Sequence, residues 1–163
     1  MNMEQDALCS RQGRAAAKTA LITAVDYLAR QAHTEKKLRE KLMRKGFPAE
    51  EIDEAVARLV ERGYLDDREL CMQQFMRLYQ ESLSSVRQIC AKLMQHGFDH
   101  DLVRSVIPDN IYERERAVAE AVLALKYVTT DPQQKMMAYL YRKGFSVDTA
   151  HAAVRNFTID AEE

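Results

Sequence analysis

The stretch Leu38-Arg39-Glu40-Lys41-Leu42-Met43-Arg44-Lys45-Gly46-Phe47 decides the fold, because its frame returns twice more along the chain. Gly-Phe pairs stand at Gly46-Phe47, Gly97-Phe98 and Gly144-Phe145, 51 and then 47 residues apart. Four residues before each Gly is a leucine (Leu42, Leu93, Leu140), and eight before is Leu38, Ile89 or Met136. Apolar residues four apart mark one face of a helix. The spacing resumes after each pair with Ile52 and Val56, Val103 and Ile107, and Ala150 and Val154, which predicts a second helix beyond every turn. Gly belongs at the turn because helices commonly close on a left-handed residue, a conformation open to Gly and costly for most others. Lys45, His96 and Lys143, just before the turns, complement the carbonyl end of a helix. The Phe that follows should pack back on the helix it ends.

Helix starts are marked as well. Thr34, Ser84 or Ser85, and Thr130 or Asp131 are N-cap residues, and Pro132 suits a first turn. A further helix precedes each pair, at 17–31, 67–81 and 111–128, with apolar seams at Leu21, Val25 and Leu28, at Leu70, Phe75, Leu78 and Tyr79, and at Ala117, Val118, Ala121, Val122 and Leu125. A lone helical hairpin cannot bury its apolar faces, so successive units should stack. The prediction is an all-α chain of three tandem three-helix repeats, stacked into an elongated, curved, right-handed-type array. Its units are 14–66, 67–110 and 111–159, between a frayed or disordered stretch at 1–13 and an acidic tail at 160–163.

Composition agrees with helices. Apolar residues are 47% and charged residues 30% of 163, while Gly and Pro number only five and three. The net charge of -1 and pI near 6.4 give no bulk attraction for polyanions, so any such site must be local. Cys9, Cys71 and Cys90 form no CxxC pair and read as free thiols in a reducing compartment. Neither a secretory leader nor a membrane-spanning apolar run is legible, which predicts a cytoplasmic protein.

Three three-helix units, the junction Gly63-Tyr64-Leu65-Asp66-Asp67 and the run Tyr139-Leu140-Tyr141-Arg142-Lys143-Gly144-Phe145 together resemble the RecX family over residues 17 to 157. That resemblance implies a non-catalytic regulator of the bacterial recombinase RecA, acting in DNA repair, recombination and the SOS response. It implies a monomer that lodges in the groove of the RecA-DNA filament and restrains filament growth, ATP hydrolysis and strand exchange. Nucleic-acid contact would be weak or indirect, with no cofactor. The middle unit departs from the family pattern, reading Gln80-Glu81-Ser82-Leu83-Ser84-Ser85-Val86-Arg87-Gln88 where relatives carry a basic, Gly-containing segment.

Candidate contact residues follow from helical geometry. Lys37, Lys41, Arg44 and Lys45 fall within about 100° of arc beside the line of Leu38 and Leu42. The competing interpretation is a solvated face with Glu40 paired to Arg44. Arg142 and Lys143 form a smaller basic site that also fits a helix C-terminus. Asp66 and Asp67 read as helix caps, with Tyr64 and Leu65 stapling the turn into the core. His96 and His100 are separated by the Gly97-Phe98 break, which argues against a metal pair. No nucleophile-base motif is present, so no active site is assigned. The tyrosines fall mostly at seam positions, which favours packing over base stacking. Two other functions fit the fold class: a helix-turn-helix-like DNA-binding regulator, and an α-solenoid scaffold for another protein partner.

Overall fold

The computed structural model describes residues 18–159. The expectations made for 1–13, for the acidic stretch at 160–163 and for Cys9 fall outside those residues. Among the described residues there are nine helices and no strand: α1 (Ala20–Arg30), α2 (Glu35–Arg44), α3 (Ala49–Glu61), α4 (Asp67–Glu81), α5 (Val86–Gln95), α6 (His100–Ser105), α7 (Tyr112–Ala124), α8 (Gln133–Arg142) and α9 (Val147–Ile159). They group into two compact units that divide between Leu65 and Asp66.

In the first unit, Ala24, Leu38, Leu42, Ile52, Val56, Leu59 and Leu65 form the core, with Phe47 packed at its edge. Thr19 and Thr34 cap α1 and α2, accepting from the N–H groups of Ile22 and Lys37. The orphan N–H of Ala20 donates to Glu51 Oε1 at 2.8 Å, tying the start of α1 to α3. Of the predicted α1 seam, Leu21 and Leu28 pack against the core while Val25 is exposed, and the buried line runs through Ala20, Thr23 and Ala24. Ala20 and Ala24, one turn apart and fully buried, let α1 lie close against its neighbours.

The second unit holds two cores. One gathers Cys71, Phe75, Val86, Ile89, Leu93, Phe98 and Val103 from α4–α6 and their turns. The other gathers Ala119, Val122, Leu123, Met136, Leu140, Phe145 and residues of α9. Ser85, of the two serines considered, opens α5 in a capping box with Gln88. Of the predicted α7 seam, Val122 is in the core and Val118 packs against it, but Ala117 and Leu125 are exposed, and Glu115, Ala119 and Leu123 are buried in addition. The helix also stops at Ala124 rather than Val128, so Leu125 lies past its last turn. Pro132, not Thr130 or Asp131, takes the N-cap position of α8, with no side-chain capping bond; a residue ahead of proline is pushed out of the helical region, and Asp131 accepts from the Val128 N–H instead.

Each Gly-Phe turn is a Schellman motif. The Gly46 N–H donates to the Met43 carbonyl at 2.9 Å and the Phe47 N–H to that of Leu42 at 3.4 Å, with equivalent bonds at Gly97-Phe98 and Gly144-Phe145. The same pair of bonds ends α3 at Gly63-Tyr64. There the apolar plug is Leu65 alone, for Tyr64 is 69% exposed and does not staple the turn. Asp66 caps α4, accepting from the Glu69 N–H at 3.0 Å, and Asp67 is the first residue of that helix.

Candidate functional site

On α2 the basic residues divide by partner. Lys37 pairs with Glu40 at 3.2 Å, so Glu40 serves Lys37 rather than Arg44. Lys41 donates to His33 Nε2 at 3.0 Å, since an ammonium can only donate, and its Nζ lies 5.2 Å from the centre of the Tyr27 ring. Burial first, and then the Lys41 charge, hold His33 below its ordinary value. Arg44 and Lys45 are exposed, with no ion pair among the described residues. Lys45 shares a depression of about 300 Å³ with Tyr27, Arg30 and Phe47, beside the Lys18–Asp26 pair at 2.7 Å. The chain thus brings Lys41, Lys45 and Tyr27 together and leaves Arg44 outward.

A second cation–aromatic cluster stands where α7 gives way to α8, and sequence reasoning caught only part of it. Lys143 lies 5.6 Å from the Tyr139 ring centre, and Lys126 lies 4.1 Å from that ring and 5.8 Å from Tyr127. The two rings meet edge to face at 5.6 Å. Arg142, next along, is exposed and outside the cluster. A signal for the cluster was present: tyrosines precede Gly46, Gly97 and Gly144 by 19, 18 and 17 residues, as Tyr27, Tyr79 and Tyr127.

The middle tyrosine is occupied from within. The Arg114 guanidinium sits 4.6 Å from the Tyr79 ring centre and donates to the carbonyls of Tyr79, Ser82 and Ser84 at 3.1, 2.9 and 2.6 Å. It also pairs with Glu115 at 2.9 Å. Glu115 is 6% exposed and accepts from the Val86 N–H at 3.0 Å. Burial pushes its carboxyl up, against the pull of that N–H and of Arg114.

An open groove of about 1180 Å³ runs beside α8 and α9, lined by Tyr112, Met137, Tyr141, His151 and Arg155 among others. Tyr112 and Tyr141 are exposed there, so these two are not core residues. Among the described residues no group of three or more His, Cys, Asp and Glu is placed to hold a metal ion, and no helix is long and apolar enough to cross a membrane.

Among the described residues the nine helices fall in successive trios, each trio around its own core, which defines an all-helical repeat protein. Residues 20–59 match the family model described as "RecX, first three-helix domain", and the chain is 33% identical over 140 residues to the Regulatory protein RecX of Caldanaerobacter subterraneus, covering 85% of this chain and 70% of that one. The chain belongs to the RecX family of regulatory proteins. It is similar also to the Regulatory protein RecX of Stenotrophomonas maltophilia, 27% identical over 95% of this chain and 97% of that one. The crystal structure of RecX from Lactobacillus salivarius superposes with a TM-score of 0.73 at 20% identity, over 86% of this chain and 95% of that one, a likeness of fold.

Proposed function

We propose that this chain restrains the RecA recombinase by binding the RecA-DNA filament, slowing its growth, ATP hydrolysis and strand exchange, as a cytoplasmic monomer without catalysis of its own. Family membership carries the proposal, and the outward Arg44, Lys45 and Arg142 supply contact groups on a near-neutral molecule. A repeat protein offers an extended surface rather than a single pocket. A duplex-DNA regulator is the weaker proposal. The helices that follow Gly46 and Gly97 carry Glu50, Glu51, Asp53, Glu54 and Asp101, the reverse of a basic recognition helix.

The test is RecA's single-strand-dependent ATP hydrolysis, measured with the intact chain and with Arg44 and Lys45 at the end of α2 neutralised together. Inhibition by the intact chain and its weakening in the variant are expected. ATP hydrolysis and filament length unchanged by micromolar intact chain would remove the mechanism. Equal inhibition by both proteins would remove the α2 residues from it.

A further inference from the structure

The cluster of Lys126, Tyr127, Tyr139 and Lys143 is built from groups that the regulatory surface proposed above does not use. Two ammonium ions are drawn to one ring, Tyr139, and neither has an ion-pair partner among the described residues. Sharing that ring places them no more than about 10 Å apart, near one Debye length at physiological salt, so each feels the other's charge. The ring faces offset part of that repulsion, which keeps both cations poised for an anion. The first unit repeats the composition, with Tyr27, Lys41 and Lys45 set around another Gly-Phe turn. In the middle unit the equivalent tyrosine, Tyr79, already holds Arg114, whose donors are spent on backbone carbonyls and Glu115. The middle site is therefore closed to outside anions.

We propose that the Lys126–Tyr127–Tyr139–Lys143 cluster is a docking site for an acidic protein segment, one that presents two carboxylates about a helical turn apart. Carboxylates at i and i+4 on a helix are about 5–6 Å apart at Cβ and reach both ammonium ions from one side chain pair. A nucleic-acid strand fits less well. Its affinity grows with the number of phosphates neutralised, and a site with two cations on a chain of net charge -1 offers few. The inference rests on the regulatory proposal for the protein that would carry the acidic segment, but not for its chemistry.

The test uses the full chain, isotopically labelled, with hexaglutamate and oligothymidylate as probes at physiological salt. Hexaglutamate should shift the amide resonances of Tyr127, Tyr139 and Gly144. The variant Lys126→Gln/Lys143→Gln should bind about fivefold more weakly or worse, the loss of two exposed ion pairs of ordinary strength. Its helicity should match that of the intact chain, and Lys126→Arg/Lys143→Arg should restore binding. No shift at these residues, or tighter binding of oligothymidylate there, would overturn the proposal. RecA inhibition separates the two proposals. An intact chain that binds hexaglutamate without touching RecA sinks the filament proposal alone, full RecA inhibition by a glutamine variant that no longer binds the peptide removes the filament protein as the occupant of this site, and undiminished peptide binding by the glutamine variant sinks this proposal alone.

Discussion

Replacing Gly144 by alanine should destabilise its unit more than replacing Gly46 destabilises the other, although the two backbones are nearly identical, with φ of +88 and +89. Alanine in that left-handed conformation costs about 1–2 kcal/mol at either position. At Gly46 nothing lies within 4 Å of the new Cβ, so the backbone strain is the whole effect. At Gly144 the new Cβ stands 3.0 Å from Ser85 Oγ and 3.2 Å from Cβ and Cδ of Arg87. Ser85 cannot simply withdraw, because its hydroxyl donates to the Lys143 carbonyl at 2.6 Å and accepts from the Gln88 N–H at 3.3 Å. Crowding of this kind adds about 1–3 kcal/mol, so Gly144→Ala should lose about 2–5 kcal/mol in all. Because the two glycines belong to separate compact units, hydrogen exchange read segment by segment is the right assay. Gly46→Ala should loosen α2 and α3 only. Gly144→Ala should loosen α8 and α9 and also the first amides of α5. Equal losses in the two variants, with α5 protection unchanged, would refute the steric reasoning.

Further outcomes follow from the α7 junction and from α2. Arg114→Ala should cost about 3–5 kcal/mol in urea denaturation, since it leaves Glu115 buried without its counter-charge and releases three carbonyls; a loss no larger than that of a surface substitution would contradict the role given to Arg114. Arg114→Lys should recover little, because one ammonium cannot reproduce the fork. Glu115 holds its proton to higher pH in the folded chain than in the unfolded one, so its contribution to stability should fall as pH rises from its ordinary 4.5 through the raised value, and Glu115→Gln should flatten that slope. The reverse holds at His33, whose lowered value means that the unfolded chain binds the extra proton and stability is lost as pH drops below 6.5. Lys41→Met removes the second of its two causes and should move the His33 titration, followed by NMR, upward; an unmoved or lowered midpoint would show that the Lys41 contact does not matter.

Helix existence was legible because the Gly-Phe frame fixes where helices end and the four-residue spacing fixes which face is apolar. The α4 limits, 67–81, could be read directly, since Asp66 caps one end and the seam runs unbroken. Rotation about the axis was harder to read in α1 and α7. Both are rich in alanine, and alanine marks a buried line only where a neighbour approaches closely, which sequence does not record. Glu115 was invisible for a related reason: a charged residue reads as solvated unless its partners are known, and the Val86 N–H lies 29 positions away in sequence. The basic residues of α2 could be named from spacing, but their partners could not. His33 stands outside α2, eight residues from Lys41, and no helical spacing marks their contact at 3.0 Å. Tyr127 and Tyr139 look like seam residues by spacing and nothing adjacent marks Lys126, although a tyrosine stands 17 to 19 residues before each of Gly46, Gly97 and Gly144.

Ser85 has a consequence for how the molecule comes apart. One oxygen both begins α5 and receives the end of α8, 58 positions later in the chain. The last trio of helices therefore helps to set the start of the second helix in the trio before it. Truncation ahead of α8 would deprive the Ser85 hydroxyl of its carbonyl partner and free the side chain that holds the first turn of α5. A shortened chain should melt from α5 as well as from its cut end, so loss of the terminal repeat is felt as a change of state in its neighbour.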